Sequence, residues 1–362
     1  MKISFSTLAC PDYSWVDIYS MAKDLGFGGI EIRGLGQDIF AVNARPFTDE
    51  RLPKTLEKLR SLNLEIPCLA SGCGLKYKED FDKNISEVTQ YIVLAKKLGT
   101  PYIRVLGDRY PEPQGEVDDD FVAESLKLLG VIAQGFGVCL PVETNGVYSN
   151  TQRLRALLDK VDLPSVAALW DIHHPYRYAG ESPRETVANL GSYIKYVHAK
   201  DGVMVDGKAQ YRMMGEGDLP IHEMLDALVD MGYDGYISLE WVKRWAQELS
   251  DAGVVFPQFA NYMNDYFASL SMKEGELQDN NTHTGKYVWP KETLIDATFP
   301  DVLDRMVKEF PDQLCFKYTE LDYTRTYSEF RDDVNQFARA LIAMGVKKGD
   351  HVAIWAPNVP QW

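Results

Sequence analysis

Short apolar, β-branched runs alternate along this chain with amphipathic stretches of helical period. That alternation limits the fold more than any other feature, because parallel strands buried on both faces need helical crossovers to join them. The runs begin near Ile3, Gly29, Glu65, Pro101, Val138, Val166, Ile194 and Tyr236, eight in all. Three intervening helices end alike: Leu25-Gly26 before Ile30-Glu31-Ile32, Leu98-Gly99 before Tyr102-Ile103-Arg104-Val105, and Met231-Gly232 before Tyr236-Ile237-Ser238-Leu239. A glycine just past a helix takes the left-handed conformation that stops the helix and turns the chain into the next strand. Eight such units fit one (β/α)8 barrel, which takes about 250 residues. The class is α/β, with an open doubly wound sheet as the alternative.

The chain has 362 residues, so something follows a barrel of that size. From 272 to 284 the sequence is polar, with paired Asn and no apolar period, and reads as a linker. The organisation expected is a barrel over 1–271, a linker over 272–286 and a small incomplete α/β segment over 287–362. That segment has helices around 294–310 and 327–344 and an apolar strand at 351–356. A formal net charge of −15 gives no footing for nucleic acid or an anionic membrane surface, so a small polar molecule is the expected partner, and a homo-oligomer is compatible with it. The five cysteines are spread out with no C-x-x-C pair, and no apolar run reaches the length of a membrane span or a signal segment. The reading is a cytoplasmic protein with buried thiols.

Four consecutive strands end in an ionisable residue: Val138-Cys-Leu-Pro-Val-Glu143, Val166-Ala-Ala-Leu-Trp-Asp171, Ile194-Lys-Tyr-Val-His198 and Tyr236-Ile-Ser-Leu-Glu240. The C-terminal ends of barrel strands converge on one mouth, where such barrels carry their active sites. Three carboxylates gathered there raise one another's pKa and are costly to desolvate unless a cation compensates them. A divalent metal is the economical solution. Oxygen-rich ligation with one imidazole suits Mn²⁺ first, with Mg²⁺, Co²⁺ and Zn²⁺ open because ligand type selects weakly.

These strand ends sit in recognisable surroundings: Val142-Glu143-Thr144-Asn145-Gly146, Leu169-Trp170-Asp171-Ile172-His173-His174-Pro175, Val197-His198-Ala199-Lys200-Asp201, Gly215-Glu216-Gly217-Asp218 and Ile237-Ser238-Leu239-Glu240-Trp241. In them the chain resembles the xylose isomerase-like TIM barrel superfamily, often labelled sugar phosphate isomerase/epimerase, over essentially all of 1–271. The resemblance implies that Glu143, Asp171, His198 and Glu240 ligate the metal, that Glu143 and Glu240 double as proton-transfer groups, and that His174 faces the substrate.

A metal on a sugar carbonyl and its neighbouring hydroxyl acidifies the C–H between them, so a carboxylate can remove the proton and leave an enediolate. Returning the proton to the neighbouring carbon isomerises, returning it to the opposite face epimerises, and expelling a hydroxyl dehydrates. The expected activity is isomerisation or epimerisation of a small sugar or sugar phosphate. An inosose-type dehydratase on the same barrel is the alternative, and a ligase fragment carrying a silent barrel is the rival of another class. Ketose 3-epimerases of the superfamily usually carry a further Glu six residues beyond the fifth-strand ligand, where this chain has Ser149. Its DNA-repair endonuclease branch is rich in His for three zincs, whereas this chain has six His in all.

Around the four, Lys200, Arg212, Arg33 and Arg104 are candidates for an anionic group of the substrate or for rim salt bridges. Trp170 and Trp241 flank ligands and are candidates to stack on a sugar or to fill the core. Glu31 reads equally as a support to the site or a structural pair, and His173 as structural. Beyond the linker, Thr326-Tyr327-Ser328-Glu329-Phe330 and the run from Ala340 to Asn358 resemble the extreme N-terminus of AMP-forming acyl-CoA synthetases. The Ser/Thr/Gly-rich phosphate loop of that family is absent.

Overall fold

The structure is a computed structural model that describes residues 1–271, 297–318 and 323–352. They fall into two compact units, Met1–Ser271 and Met272–Trp362. The first unit runs β1 (Lys2–Ser6), α1 (Trp15–Asp24), β2 (Gly29–Glu31), α2 (Leu52–Leu62), β3 (Cys68–Gly74), α3 (Phe81–Leu98), β4 (Tyr102–Leu106), α4 (Asp119–Phe136), β5 (Leu140–Glu143), α5 (Thr151–Val161), β6 (Val166–Asp171), α6 (Pro183–Leu190), β7 (Ile194–Ala199), β8 (Asp201–Val205), β9 (Lys208–Arg212), α7 (Ile221–Asp230), β10 (Tyr236–Leu239) and α8 (Ala252–Ser271).

Eight of these strands form one parallel sheet in the order β2-β1-β10-β7-β6-β5-β4-β3. Parallel bridges Gly29–Glu65 and Ile32–Leu69 bring its two ends together, so the sheet curls into a nearly closed TIM barrel. Gly26, Gly99 and Gly232 all sit just past a helix, at φ +77°, +75° and +73°, as their spacing predicts. Asn63 and Asp162 take the same left-handed conformation at the ends of α2 and α5 without being glycine. The opposite helix ends are fixed by side chains: Ser14 with Asp17 and Ser182 with Glu185 form capping boxes at α1 and α6.

The barrel interior shows how the site is raised. Cys68, Leu169, Tyr196 and Tyr236 form a small apolar cluster apart from the main core. Leu169 lies two residues before Asp171 and Tyr196 two before His198. The period of two that turns the first pair into the barrel therefore turns the second pair inward as well, one layer nearer the C-terminal mouth. The main core lies around the sheet and under the helices, from Phe5, Ile30, Val142 and Ile237 to Phe256 and Phe259.

An element missed by the sequence reading is the antiparallel β8–β9 hairpin, which rises directly from the end of β7. Its two turn residues, Asp206 and Gly207, have φ of +49° and +76°, the combination a tight two-residue hairpin requires.

The second unit contains α9 (Phe299–Glu309), β11 (Leu314–Tyr318), β12 (Tyr323–Thr326) and α10 (Tyr327–Ala343), with β11 and β12 antiparallel. Thr298 with Asp301 and Thr326 with Glu329 cap the two helices. The two expected helices are present, though the first begins at Phe299 instead of 294. The β11–β12 pair did not emerge from the sequence, while most of the strand expected at 351–356 and the whole expected linker lie outside the described residues. No described residue of this unit is buried; Phe299 is 93% exposed and Met344 80%.

Candidate metal centre

Each of the four strand ends delivers its side chain to the same place. Glu143 closes β5, Asp171 closes β6, His198 sits one residue before the end of β7, and Glu240 follows β10. Asp171 is paired in register with His198, and His198 with Ser238. One ligand-type atom from each of Glu143, Asp171, His198 and Glu240 lies within 4.8 Å of the others, and all four residues are buried. Atoms bound to one ion at about 2.0–2.6 Å can be at most about twice that far apart, so this spread is compatible with a shared cation.

Two buried cations share the site. Lys200 Nζ lies 2.6 Å from Asp171 Oδ2 and also pairs with Glu240 Oε2. Arg104 Nε lies 3.2 Å from Glu143 Oε2, and its Nη1 donates to the Ser71 carbonyl at 3.0 Å. Burial pushes the Glu143 carboxyl up, but Arg104 and His198 outweigh it and hold it well below the usual range. Burial likewise opposes ionisation of Glu240, and Lys200 and His198 overcome it to hold that carboxyl at about 2. Asp171 stands above its ordinary value because burial outweighs its pairing with Lys200.

With Glu31, which is also fully buried, the mouth holds four carboxylates against two cations. Burial opposes a charge on His198, but Glu31, Glu240 and Glu143 outweigh it and raise its pKa well above the ordinary value. With the ring neutral, as a metal ligand must be, two negative charges are left over, and one divalent ion would cancel them. The donor set also suits such an ion: three carboxylates and His198 Nδ1, which has no hydrogen-bond partner.

His174 joins the cluster, with Nδ1 hydrogen-bonded to the Thr144 carbonyl at 3.1 Å and Nε2 3.8 Å from Asp171 Oδ2. Burial, then the neighbouring Lys200, lowers its pKa to about 3, so at neutral pH it offers uncharged ring nitrogens. His173 is buried beside it, and its backbone N–H donates to Asp171 Oδ1 at 2.9 Å. The other candidates sit differently. Lys200 is bound up with two of the carboxylates, and Arg212 hydrogen-bonds within its own hairpin to Tyr211 and Gln210. Trp170 and Trp241 are 1% and 3% exposed and packed in the main core, because strand alternation turns Trp170 away from the side occupied by Asp171. Arg33 donates to the Ile39 carbonyl at 3.2 Å.

Buried Asp201 explains why the Gly215-Glu216-Gly217-Asp218 motif accompanies the β7 end. Its carboxylate accepts from the backbone N–H groups of Gly202, Gly215 and Gly217 at 2.7, 2.9 and 2.9 Å, tying the return of the hairpin to its start. Through that hairpin, Tyr211 is carried to 5.9 Å from Lys200 and 6.1 Å from the His173 ring.

After Glu143 the chain turns sharply at Gly146, whose φ is +58°. A β-carbon there would lie 2.4 Å from Oδ2 of Asp108, itself fully buried and pinned by the backbone N–H groups of Arg109 and Val147. Gly146→Ala therefore adds left-handed strain to overpacking and should cost about 2–5 kcal/mol. Urea unfolding checks this, and a midpoint unchanged from wild type would show that the turn relaxes freely.

The family model described as xylose isomerase-like TIM barrel matches residues 20–256. The chain belongs to that family. Fructoselysine 3-epimerase of Escherichia coli O157:H7 is 31% identical over 134 residues, which is 35% of this chain and 47% of that protein. The 3-dehydroshikimate dehydratase of Bacillus anthracis is 24% identical over 276 residues, 70% of this chain and 95% of that one. Among solved structures, the IOLI protein with a bound zinc atom aligns with a TM-score of 0.62 at 16% identity, covering 75% of this chain and all of that one, a likeness of fold. A second model, for AMP-binding enzymes, matches residues 303–362. There the chain spans only 11–13% of the length of the first acyl-CoA synthetases and ligases it resembles. Among the described residues, no helix is long and apolar enough to cross a membrane.

Proposed function

We propose that the barrel is a divalent-metal-dependent isomerase or epimerase that moves a proton next to the carbonyl of a small sugar or sugar phosphate. The observation that carries this reading is the buried cluster of Glu143, Asp171, His198 and Glu240, in a mouth where carboxylates outnumber the buried cations Lys200 and Arg104. These four would hold the ion, Mn²⁺ first. When bound, the ion supplies Lewis acidity to a carbonyl and its neighbouring hydroxyl.

The protein's own groups do the rest. Glu143, kept ionised by Arg104, takes the proton from carbon, and Glu240, on a strand three places away in the sheet, is the group that can return it. Lys200, between Asp171 and Glu240, can donate a hydrogen bond to oxygen that gains charge. Neutral His174 orients a substrate hydroxyl. The apolar floor of Leu169 and Tyr196 closes the site from below and excludes water.

The testing experiment incubates metal-loaded protein in deuterated water with ketoses, ketose phosphates, inososes and 3-dehydroshikimate. Deuterium in a C–H next to the carbonyl, read by NMR, is the expected outcome and identifies the attacked carbon. A loaded protein that exchanges none of them would overturn the proposal.

Dehydration is the second reading, favoured by the dehydratase relative that aligns over almost its full length. It predicts loss of water from one member of that panel instead of a returned proton. For the segment 287–362 we infer no adenylating activity, since the phosphate-cradling loop is missing from its sequence. ATP–pyrophosphate exchange by the 362-residue chain would contradict that inference.

A further inference from the structure

Within the barrel mouth, Glu31 and His198 form a pair in which both side chains are wholly buried. β2 and β7 are separated in the sheet by β1 and β10, so the contact spans the barrel interior. His198 Nε2 lies 3.0 Å from Glu31 Oε2. The other nitrogen, Nδ1, lies 3.5 Å from Glu240 Oε1 and 3.8 Å from Glu143 Oε1 and has no hydrogen-bond partner. Among the described residues, His198 is the one basic side chain within ion-pair distance of Glu31.

An ionised carboxylate can only accept a hydrogen bond, so the imidazole nitrogen facing it must carry the proton. In the neutral ring the remaining nitrogen then keeps its lone pair, and here that lone pair faces the two glutamates. The ring is held from a second side by Tyr196, whose ring meets it nearly edge-on at 5.9 Å.

We propose that Glu31 is a positioning residue: it fixes His198 as the Nε2-protonated tautomer, with Nδ1 presented to a divalent cation between Glu143 and Glu240. The inference rests on the metal-site reading above. A carboxylate behind a ligating imidazole sets the ring's orientation and raises its basicity, and losing such a partner commonly weakens metal binding by roughly 10- to 100-fold.

Two measurements test it. Mn²⁺ affinity is determined for the wild-type chain and for Glu31→Gln by competition with a metal-responsive dye, alongside far-UV circular dichroism of both metal-free proteins. The expected result is a Kd roughly 10- to 100-fold weaker in Glu31→Gln with an unchanged spectrum. A Kd within twofold of wild type would overturn the role of Glu31. The second measurement needs no variant to fold: long-range ¹H–¹⁵N correlation on zinc-loaded, ¹⁵N-histidine-labelled wild type should show His198 protonated at Nε2 and ligated through Nδ1. The opposite tautomer would also overturn the proposal. Failure of the metal-site reading looks different, since the wild-type chain would then bind neither Mn²⁺ nor Zn²⁺.

Discussion

Glu143→Gln is expected to remove proton exchange by roughly 10²–10⁴-fold while the barrel stays folded. The substitution keeps the size of the side chain and a polar oxygen beside Arg104, whose Nε lies 3.2 Å from Glu143 Oε2 in the wild type. What it removes is one negative charge from a mouth whose four buried carboxylates outnumber Lys200 and Arg104, so the metal-free variant should not be destabilised by charge repulsion. It also removes the proposed base, because an amide at neutral pH cannot take a proton from carbon. Circular dichroism and a thermal transition close to that of the wild type would establish the fold, and deuterium uptake into the substrate identified by the panel would measure the loss. Near-normal exchange in this variant would rule out a catalytic role for Glu143.

Stripping the metal should have an equally large effect and move stability in a readable direction. Dialysis against a chelator is expected to abolish exchange, and Mn²⁺ should restore it. With His198 neutral, as a metal ligand must be, the mouth carries two surplus negative charges, which an ion binding only the folded chain relieves. At a free concentration about a thousand times Kd, such an ion stabilises by about 4 kcal/mol. For a domain of this size each kcal/mol moves the thermal transition by about 2–4 °C, so a rise on the order of 10 °C is expected. Full exchange in the presence of chelator, with no thermal shift from Mn²⁺, Mg²⁺, Co²⁺ or Zn²⁺, would show that the cluster is a structural network of ion pairs around Lys200 and Arg104.

The two substitutions and the chelation experiment separate neighbouring roles. Glu143→Gln affects proton transfer and ligation together, whereas Glu31→Gln acts behind a ligand and should change affinity more directly than chemistry. Lys200 lies between these cases. The sequence leaves it a candidate for a substrate anion or a salt bridge, and the structure seats its ammonium on Asp171 and Glu240, where it neutralises buried charge.

Much of this molecule was legible before any coordinates. Strand period, helix period and the glycines at 26, 99 and 232 act over a few residues each, and they define the eight units because local steric rules depend on neighbours along the chain. Glu143, Asp171, His198 and Glu240 could be singled out because parallel strands of a barrel all point their C-terminal ends the same way. Other features required three dimensions. That Glu31 faces His198 depends on a contact across the barrel between residues 167 apart in sequence. The turning of Trp170 into the core, the seating of Lys200 and the rise of the β8–β9 hairpin depend on pleat direction and on which loops share a rim. Sequence alone thus determined the repeating unit and the residues at its ends, because those follow from short-range geometry. Only the tertiary structure decided which of those residues meet and in what charge balance, because burial and long-range pairing set the cost of each charge.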